Sequence, residues 1–259
     1  MTVISSELMK TNDHKPHRKR WGTMGTIGTP LLAAVVLVGL WSWLSSQELD
    51  SIEKQSLNLP HMLTKTGEHI ELTFYSTLIV VAVAIPCGIL LSRPRMKRLA
   101  PIALAAANVG QAAPSIAVIV LAAMVFGVGM KIAVFALAIY AILPVLRNTI
   151  VGLQQVDPAI IDAGRGMGLS KAQILMRIEL PLAVPIILTG LRTALVLNVG
   201  TATMAAFINA GGLGELIVSG VSLQRTTVLV TGSVLVALLA LLIDWFVGIV
   251  QRTLTAKPD

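Results

Sequence analysis

The sequence predicts an all-α protein, a bundle of about six membrane-spanning helices. Hydrophobic residues make up 55% of the 259 residues, charged residues only 13%, and the mean hydropathy is +0.81. This composition is too apolar for a water-soluble domain and is typical of a polytopic membrane protein. The apolar residues also form runs of about 20, which is the length that a helix needs to cross a bilayer.

Six apolar runs give the predicted spans. They lie at about residues 28–46, 72–92, 100–126, 131–150, 185–207 and 226–250. Because the number of crossings is even, we expect the C-terminus on the same side of the membrane as the N-terminus. Polar and charged segments separate the runs, as expected for loops at the two membrane surfaces.

The distribution of Lys and Arg predicts the orientation of the spans. Fifteen of the 20 cations fall on one side, four on the other, and Arg192 lies within a span. The fifteen are Lys10, Lys15, Arg18, Lys19, Arg20, Arg93, Arg95, Lys97, Arg98, Arg147, Arg165, Lys171, Arg177, Arg252 and Lys257. Cytoplasmic loops carry the excess of cations, so both termini are predicted to be cytoplasmic. The cations sit beside apolar runs without interleaved aromatic residues, which favours lipid contact and excludes nucleic acid as an expected partner.

The spans divide the chain into five predicted segments. These are a disordered cytoplasmic tail at 1–27, a first transmembrane helix at 28–46, an external linker at 47–70, a transmembrane domain at 71–252 and a short cytoplasmic tail at 253–259. The first span is interpreted as uncleaved, because its polar lead is long and Trp41 and Trp43 favour an interfacial anchor over a cleavage site. Pro60 falls in the predicted linker.

A polar segment at 155–181 interrupts the apolar pattern on the cytoplasmic side. Asp157 followed by Pro158 predicts a helix start, because aspartate accepts from free amides and proline needs no donor at the first helical position. We expect this helix to end near Arg165, where Gly166 and Gly168 permit left-handed backbone angles.

A second helix is predicted directly after these glycines. Ser170 and Gln173 have the spacing of a capping box, which begins a helix. Pro181 is expected to interrupt that helix before the next span, because proline lacks a backbone donor. The segment is therefore predicted to be a helical hairpin held at the membrane surface by two spans.

The hairpin resembles the EAA loop of permease subunits of ABC importers, in which a coupling helix docks on an ATPase subunit. The residues that carry the resemblance are Asp162, Ala163, Gly164, Gly168, Ile178, Leu180 and Pro181. The usual Glu-Ala-Ala reads Asp-Ala-Gly here. The resemblance implies a type I ABC-importer permease architecture and assigns these seven residues to ATPase coupling.

Further runs are similar to the osmoprotectant branch of this family, which imports glycine betaine, choline, carnitine or proline. They are 143–149, 164–168, 179–183, 190–194, 200–203 and 210–214. The resemblance implies two ATPase subunits, a second permease subunit (the same or homologous) and an external substrate-binding protein as partners, in a bacterial inner membrane. In this family the aromatic cage for quaternary ammonium groups belongs to the binding protein.

The chain shows no chemistry of its own. It lacks a glycine-rich phosphate loop ending in Gly-Lys-Ser or Gly-Lys-Thr, so it is predicted to be a transport subunit and not an enzyme. We expect no cofactor on this chain, with ATP and magnesium bound by the partner ATPase, and no metal site. His14, His17, His61 and His69 are expected to be solvated, Cys87 to be a packing residue, and Asp162 and Glu179 to serve capping and partner contact on an exposed loop.

Polar residues inside the spans mark a candidate translocation pathway. They are Asn108, Gln111, Ser115, Asn198, Thr201 and Thr203. Polar side chains are costly in lipid and therefore face a wet cavity or neighbouring helices. Both alternatives, a solute pathway and hydrogen bonding in a static bundle, stay open at this point.

Depth in the membrane predicts an ion pair between Arg192 and Asp244. Arg192 is about seven residues past the cytoplasmic start of the fifth span, and Asp244 about six residues before the cytoplasmic end of the sixth. Both therefore lie roughly 10 Å below the same surface. The alternative is that Arg192 reaches lipid headgroups while Asp244 contacts a loop or another subunit.

Two other functions remain as alternatives. A related importer for methionine, another amino acid or an oxyanion would keep the hairpin and differ in its pathway residues. A secondary transporter or channel would need acidic residues within its spans for ion coupling, but Asp244 is the one clear case and no inverted repeat is visible.

Overall fold

A computed structural model describes residues 24–255, and side chains within 27–253. In this range every regular element is helical, which confirms the predicted fold class. The helices are α1 (Met24–Ser45), α2 (Ser51–Ser56), α3 (Leu59–Ser92), α4 (Ala100–Ala112), α5 (Ser115–Phe126), α6 (Met130–Gln154), α7 (Pro158–Gly166), α8 (Lys171–Ile174), α9 (Leu180–Thr201), α10 (Gly214–Ser222) and α11 (Thr226–Thr255). Short 3₁₀ turns occupy Lys97–Leu99 and Ala202–Ile208, and a π turn occupies Leu175–Glu179. Most of the two predicted tails lies outside the described residues.

Five of the described helical stretches are long and apolar enough to cross a membrane. They are Ile27–Ser45, Leu59–Ser92, Met130–Gln154, Lys171–Ile208 and Thr226–Thr253. The α4–α5 pair makes a sixth span if its two bent halves are counted together. The prediction of about six spans is therefore confirmed in number.

The third span is not the single helix predicted for residues 100–126. α4 and α5 meet at an angle of 94°. Ala113 between them is extended, with φ −67° and ψ 143°, because a residue before proline is pushed out of the helical region. Pro114 also lacks the donor that would continue the helix. The bend places Gln111 and Ser115 on either side of the break.

Most of residues 47–70, the predicted external linker, are helical. Asp50 begins α2 with a capping box to Glu53. Asn58 then caps α3, with Pro60 in its first turn, where proline is tolerated. α3 has 34 residues, so it is about 51 Å long and exceeds the hydrocarbon core of about 30 Å. α3 is therefore longer than one crossing of the membrane requires.

The core lies around α6, which packs against α3, α4, α5 and α9. Its buried face is rich in alanine, including Ala133, Ala136, Ala138 and Ala141, and small residues let membrane helices approach closely. On α9, a Cβ added to Gly190 would lie 2.7 Å from the backbone oxygen of Pro144 on α6, so these two helices are in close contact. α1 stands at the periphery against α11.

His69 is buried and not solvated, which contradicts the prediction for this residue. Its side chain is 0% exposed, and its Nε2 lies 2.9 Å from the carbonyl oxygen of Val199. The prediction failed because α3 extends past the assumed start of the span at residue 72, which brings His69 against the end of α9. The bond ties α3 to α9 where α9 passes into the 3₁₀ turn at Ala202.

Candidate functional site

The first half of the hairpin is α7, which begins as its cap residues predict. The Asp157 carboxylate accepts a hydrogen bond of 2.8 Å from the backbone N–H of Ala159, and Pro158 occupies the first turn. An aspartate cap stabilises a helix end by about 1 kcal/mol. The hairpin therefore has a defined start three residues after α6 ends.

The glycine turn after α7 is a Schellman motif. The N–H of Gly168 donates to the carbonyl of Arg165, and the N–H of Leu169 donates to the carbonyl of Gly164. Gly168 has φ +80°, a left-handed angle that favours glycine, whereas Gly166 is an ordinary residue at the end of the helix. The sharp reversal of the chain depends on Gly168.

The second half of the hairpin runs into the next span without a break. Ser170 and Gln173 form the predicted capping box, with bonds of 2.8 and 3.3 Å. The π turn then follows, in which the N–H of Leu180 donates to the carbonyl of Leu175. The prediction that Pro181 interrupts the helix is wrong, because the proline falls in the first turn of α9 and the π turn precedes it.

Several motif residues of the hairpin lie together. Gly164 is buried, and a Cβ built on it would lie 2.7 Å from Cδ1 of Ile178, so the absent side chain leaves room for Ile178 to pack on α7. Leu180 is half-buried in the first turn of α9, while Asp162, Ala163 and Pro181 are exposed. The motif thus has a packed side within the hairpin and an exposed side.

The exposed side of the hairpin combines charge and apolar surface. Asp162 accepts a bond of 2.7 Å from Arg165 one turn later, an exposed pair worth about 0.5 kcal/mol or less. Ile160 and Met167 expose 45% and 73% of their surface. The exposed side of the hairpin thus presents both a charged pair and apolar side chains.

Glu179 does not lie on an exposed surface, contrary to the prediction. The residue is 7% exposed, and its Oε2 accepts a bond of 2.6 Å from Nη2 of Arg93 at the end of α3. Sequence reasoning missed this pair because the two residues are 86 positions apart and no local pattern joins them. The basic run at 93–98 after a span was the one available signal.

A cleft of about 500 Å³ separates the 93–95 segment from the hairpin. Its charged lining consists of Arg93, Arg95, Arg165, Lys171 and Glu179. Two of the four cations are paired, Arg93 with Glu179 and Arg165 with Asp162, so Arg95 and Lys171 supply the excess positive charge of the cleft. The cytoplasmic end of α3 and the hairpin therefore share one polar surface.

The candidate pathway residues fall into two groups that differ in burial. Asn108 is exposed on α4, and Gln111 and Ser115 are half-buried beside the bend. Asn198 on α9 is 0% exposed, and its Nδ2 donates 3.1 Å to Oγ1 of Thr77 on α3. The structure thus buries Asn198 between two helices and leaves the α4 group more accessible.

The two threonines of the pathway set bond within their own segment. Thr201 donates to the carbonyl of Leu197 at 2.8 Å, and Thr203 donates to the carbonyl of Gly200 at 2.7 Å. Asn198 retains a buried Oδ1 without a hydrogen-bond partner. In this conformation the α9 residues bond within the helix bundle.

Arg192 and Asp244 form a bidentate ion pair between α9 and α11. Nε and Nη2 of Arg192 donate to Oδ1 and Oδ2 of Asp244, each at 2.5 Å. The guanidinium also lies against Gly248, where a Cβ would be 3.5 Å from Cζ of Arg192. Parallel bonds of this kind fix geometry as well as charge.

The described residues hold no group of three or more His, Cys, Asp and Glu side chains with the geometry of a metal site. His14 and His17 lie outside the described residues. Nε2 of His69 faces the Val199 carbonyl, whereas its Nδ1 is buried without a hydrogen-bond partner. Cys87 is exposed on α3, so the prediction that it is a packing residue is wrong.

Comparison with known proteins places this fold and hairpin in a family. Residues 84–256 match the family of binding-protein-dependent transport system inner membrane components. The chain is 36% identical over 196 residues to the glycine betaine/carnitine/choline transport system permease protein OpuCB of Bacillus subtilis, covering 76% of this chain and 89% of that one. It is 37% identical over 219 residues to the osmoprotectant import permease protein OsmY of Salmonella typhimurium, covering 83% and 91%.

Solved structures share the architecture. The MetNI methionine ABC transporter in inward-facing conformations matches with a TM-score of 0.67 and 24% identity, covering 77% of this chain and 100% of that chain. An amino acid ABC transporter with histidines matches with a TM-score of 0.64 and 19% identity, covering 80% and 100%. At these identities the likeness shows the fold alone.

The bundle and its hairpin therefore define a permease of the type I ABC-importer architecture, embedded as a multi-pass protein in the inner membrane. The chain belongs to the family of binding-protein-dependent transport system inner membrane components. The resemblance inferred from the hairpin and the osmoprotectant-like runs is confirmed.

Proposed function

We propose that this chain is the permease subunit of an ABC importer that moves a quaternary-ammonium osmoprotectant, such as glycine betaine or choline, into the cytoplasm. The observation that carries the proposal is the identity of 36% and 37% to permeases named for these solutes, over at least three quarters of the chain. The methionine transporter shares the fold at 24% identity, so it supports the architecture and not the solute.

The hairpin would couple this chain to ATP hydrolysis on its partners. Two ATPase subunits would bind ATP and magnesium, and the exposed side of α7 would seat in a cleft of one of them. Closure of the ATPase pair would then move the hairpin and switch the permease from inward-facing to outward-facing. This chain would bind no cofactor itself and would transmit motion without catalysing a reaction.

Two further partners complete the proposed assembly. A second permease subunit, identical or homologous, would face this one across the solute pathway, and an external binding protein would deliver the solute. The excess of cations on one side supports cytoplasmic termini and a cytoplasmic hairpin. The exposed side of the hairpin, with Ile160, Met167 and the Asp162–Arg165 pair, fits contact with a soluble ATPase at that surface.

The polar groups in the spans take two proposed roles. Gln111 and Ser115 lie at the bend between α4 and α5, where irregular backbone in a membrane protein lines a cavity or is covered by protein. Asn198 has an unsatisfied oxygen, so a shift of α9 against α3 would expose it to the pathway. The Arg192–Asp244 pair would keep α9 and α11 together during that shift.

Complex formation tests the proposal. The chain is co-expressed with candidate ATPase and binding-protein subunits of an osmoprotectant importer, and the detergent-solubilised complex is assayed for ATP hydrolysis. We expect stable association, and faster hydrolysis when the binding protein carries glycine betaine. Stimulation by methionine alone would favour the amino-acid alternative, and failure to associate with any ATPase would contradict the proposed class.

A further inference from the structure

The ion pair between Arg93 and Glu179 joins the end of one span to the base of the hairpin. The bond is 2.6 Å long, and the Glu179 side chain is nearly buried. Arg93 is also fixed by its own helix, because its Nε donates to the carbonyl of Ile89 at 3.2 Å. The guanidinium is therefore held in one place and has one carboxylate partner.

Glu179 lies at the base of the hairpin and is joined to it by continuous helix. It is the last residue of the π turn, and the chain is helical from Lys171 through that turn into α9. Ile178, directly before it, packs on Gly164 of α7. A displacement of α7 is consequently passed to the turn that carries Glu179, through packing on one side and continuous helix on the other.

Arg93, the other partner of the ion pair, belongs to α3. It caps α3, whose remaining length packs against α6, and α3 is bonded to α9 at two further depths. Thr77 accepts from Asn198, and the His69 ring pairs with the carbonyl of Val199. Thr77 and His69 lie close to the proposed pathway, 16 and 24 positions before Arg93 on α3.

We propose that Arg93 and Glu179 are positioning residues that carry the movement of the coupling hairpin into α3, and through α3 to the polar contacts at Asn198. The inference rests on the proposed function, because it needs an ATPase that moves the hairpin. The hairpin runs directly into α9, and the ion pair ties its base to the cytoplasmic end of α3 as well, so a movement of the hairpin reaches both spans. Packed side chains, hydrogen bonds and ion pairs of this kind can carry coupling between distant sites when they have two alternative arrangements.

The test uses the complete transporter, with ATPase and binding protein, reconstituted in proteoliposomes. The measured quantity is solute imported per ATP hydrolysed. We expect Arg93→Gln to lower this ratio about fivefold or more, in the range typical of lost coupling, while ATPase association is retained. Arg93→Lys should restore most of it, because one charged donor suffices for a single bond to Oε2.

A matched control is Arg98→Gln, which removes an exposed cation from the same basic run and should leave the ratio unchanged. If Arg93→Gln reaches the membrane poorly, the exchanged pair Arg93→Glu with Glu179→Arg replaces it. This pair should import more solute per ATP hydrolysed than either single exchange. An unchanged ratio in Arg93→Gln, or an exchanged pair no better than its single variants, overturns the inference alone. Absence of ATP-dependent uptake by the unaltered transporter overturns the proposed function as well.

Discussion

Arg192 and Asp244, 52 residues apart in sequence, meet in parallel hydrogen bonds of 2.5 Å between α9 and α11. Each side chain is more than a third exposed, so the pair lies at the surface of the helix bundle. There the alternative to pairing is lipid or interfacial water, and a charge at this depth is costly without a partner. The bond thereby links the span that follows the hairpin to the last span.

Exchanging these two charges tests the pair. Arg192→Gln and Asp244→Asn should each lower thermal stability in detergent, because each leaves one charge without its partner. The exchanged pair Arg192→Asp with Asp244→Arg should recover part of the loss, with a coupling energy of about 0.5–3 kcal/mol. Strictly additive losses would contradict a direct interaction. Lys131→Gln and Glu48→Gln, two exposed charges on separate segments, serve as an additive control.

The glycine turn gives a second prediction. Gly168→Val should strain a backbone with φ +80° by about 1–3 kcal/mol, and thereby weaken ATPase association and uptake while insertion is retained. Gly166→Val is the matched control, because that glycine has an ordinary helical backbone and open space around it. Co-purification of the ATPase with each variant checks the difference. Equal co-purification of both variants with the ATPase would contradict a role for the turn.

Close packing of α9 on α6 gives a third prediction. Gly190→Ala should destabilise the bundle by about 1–3 kcal/mol, because the added methyl group meets Asn148 and the Pro144 carbonyl. Gly110→Ala on α4 has open space around it and should be neutral or stabilising. Unfolding midpoints in the same detergent distinguish the two. A neutral Gly190→Ala would show that the two helices can separate at little cost.

Accessibility gives a fourth prediction. In a background lacking Cys87, Gln111→Cys should react with a small polar thiol reagent, since Gln111 is half-buried beside the bend. Asn198→Cys should be protected at rest and react when ATP is bound, if α9 shifts against α3. Ala141→Cys, fully buried in α6, should stay protected throughout. Protection of Asn198→Cys in every nucleotide state would favour the static-bundle alternative.

Local patterns made the hairpin predictable from sequence. Asp157, Ser170 and Gln173 act on amides within three residues, so their spacing alone reveals the helix starts. The predicted ion pair of Arg192 with Asp244 likewise needed only the positions of the two residues along their spans. In both cases the relevant geometry is set by the helix itself.

Contacts between distant segments were not predictable in this way. The Arg93–Glu179 bond and the burial of His69 depend on how α3 packs against the hairpin and α9, which no spacing in the sequence reports. The bend at Pro114 was missed because the span was predicted from its hydropathy alone, although Pro114 stands between the polar residues Gln111 and Ser115. Hydropathy records length and composition, and a proline kink changes neither.

Solute uptake tests the central claim most directly. Proteoliposomes containing this permease and its ATPase, with ATP enclosed and the binding protein outside, are supplied with labelled glycine betaine. The proposed function predicts accumulation that requires both ATP and the binding protein, that choline or carnitine reduces by competition, and that methionine leaves unchanged. Uptake of methionine in place of glycine betaine, or uptake that proceeds without the ATPase, would contradict the account.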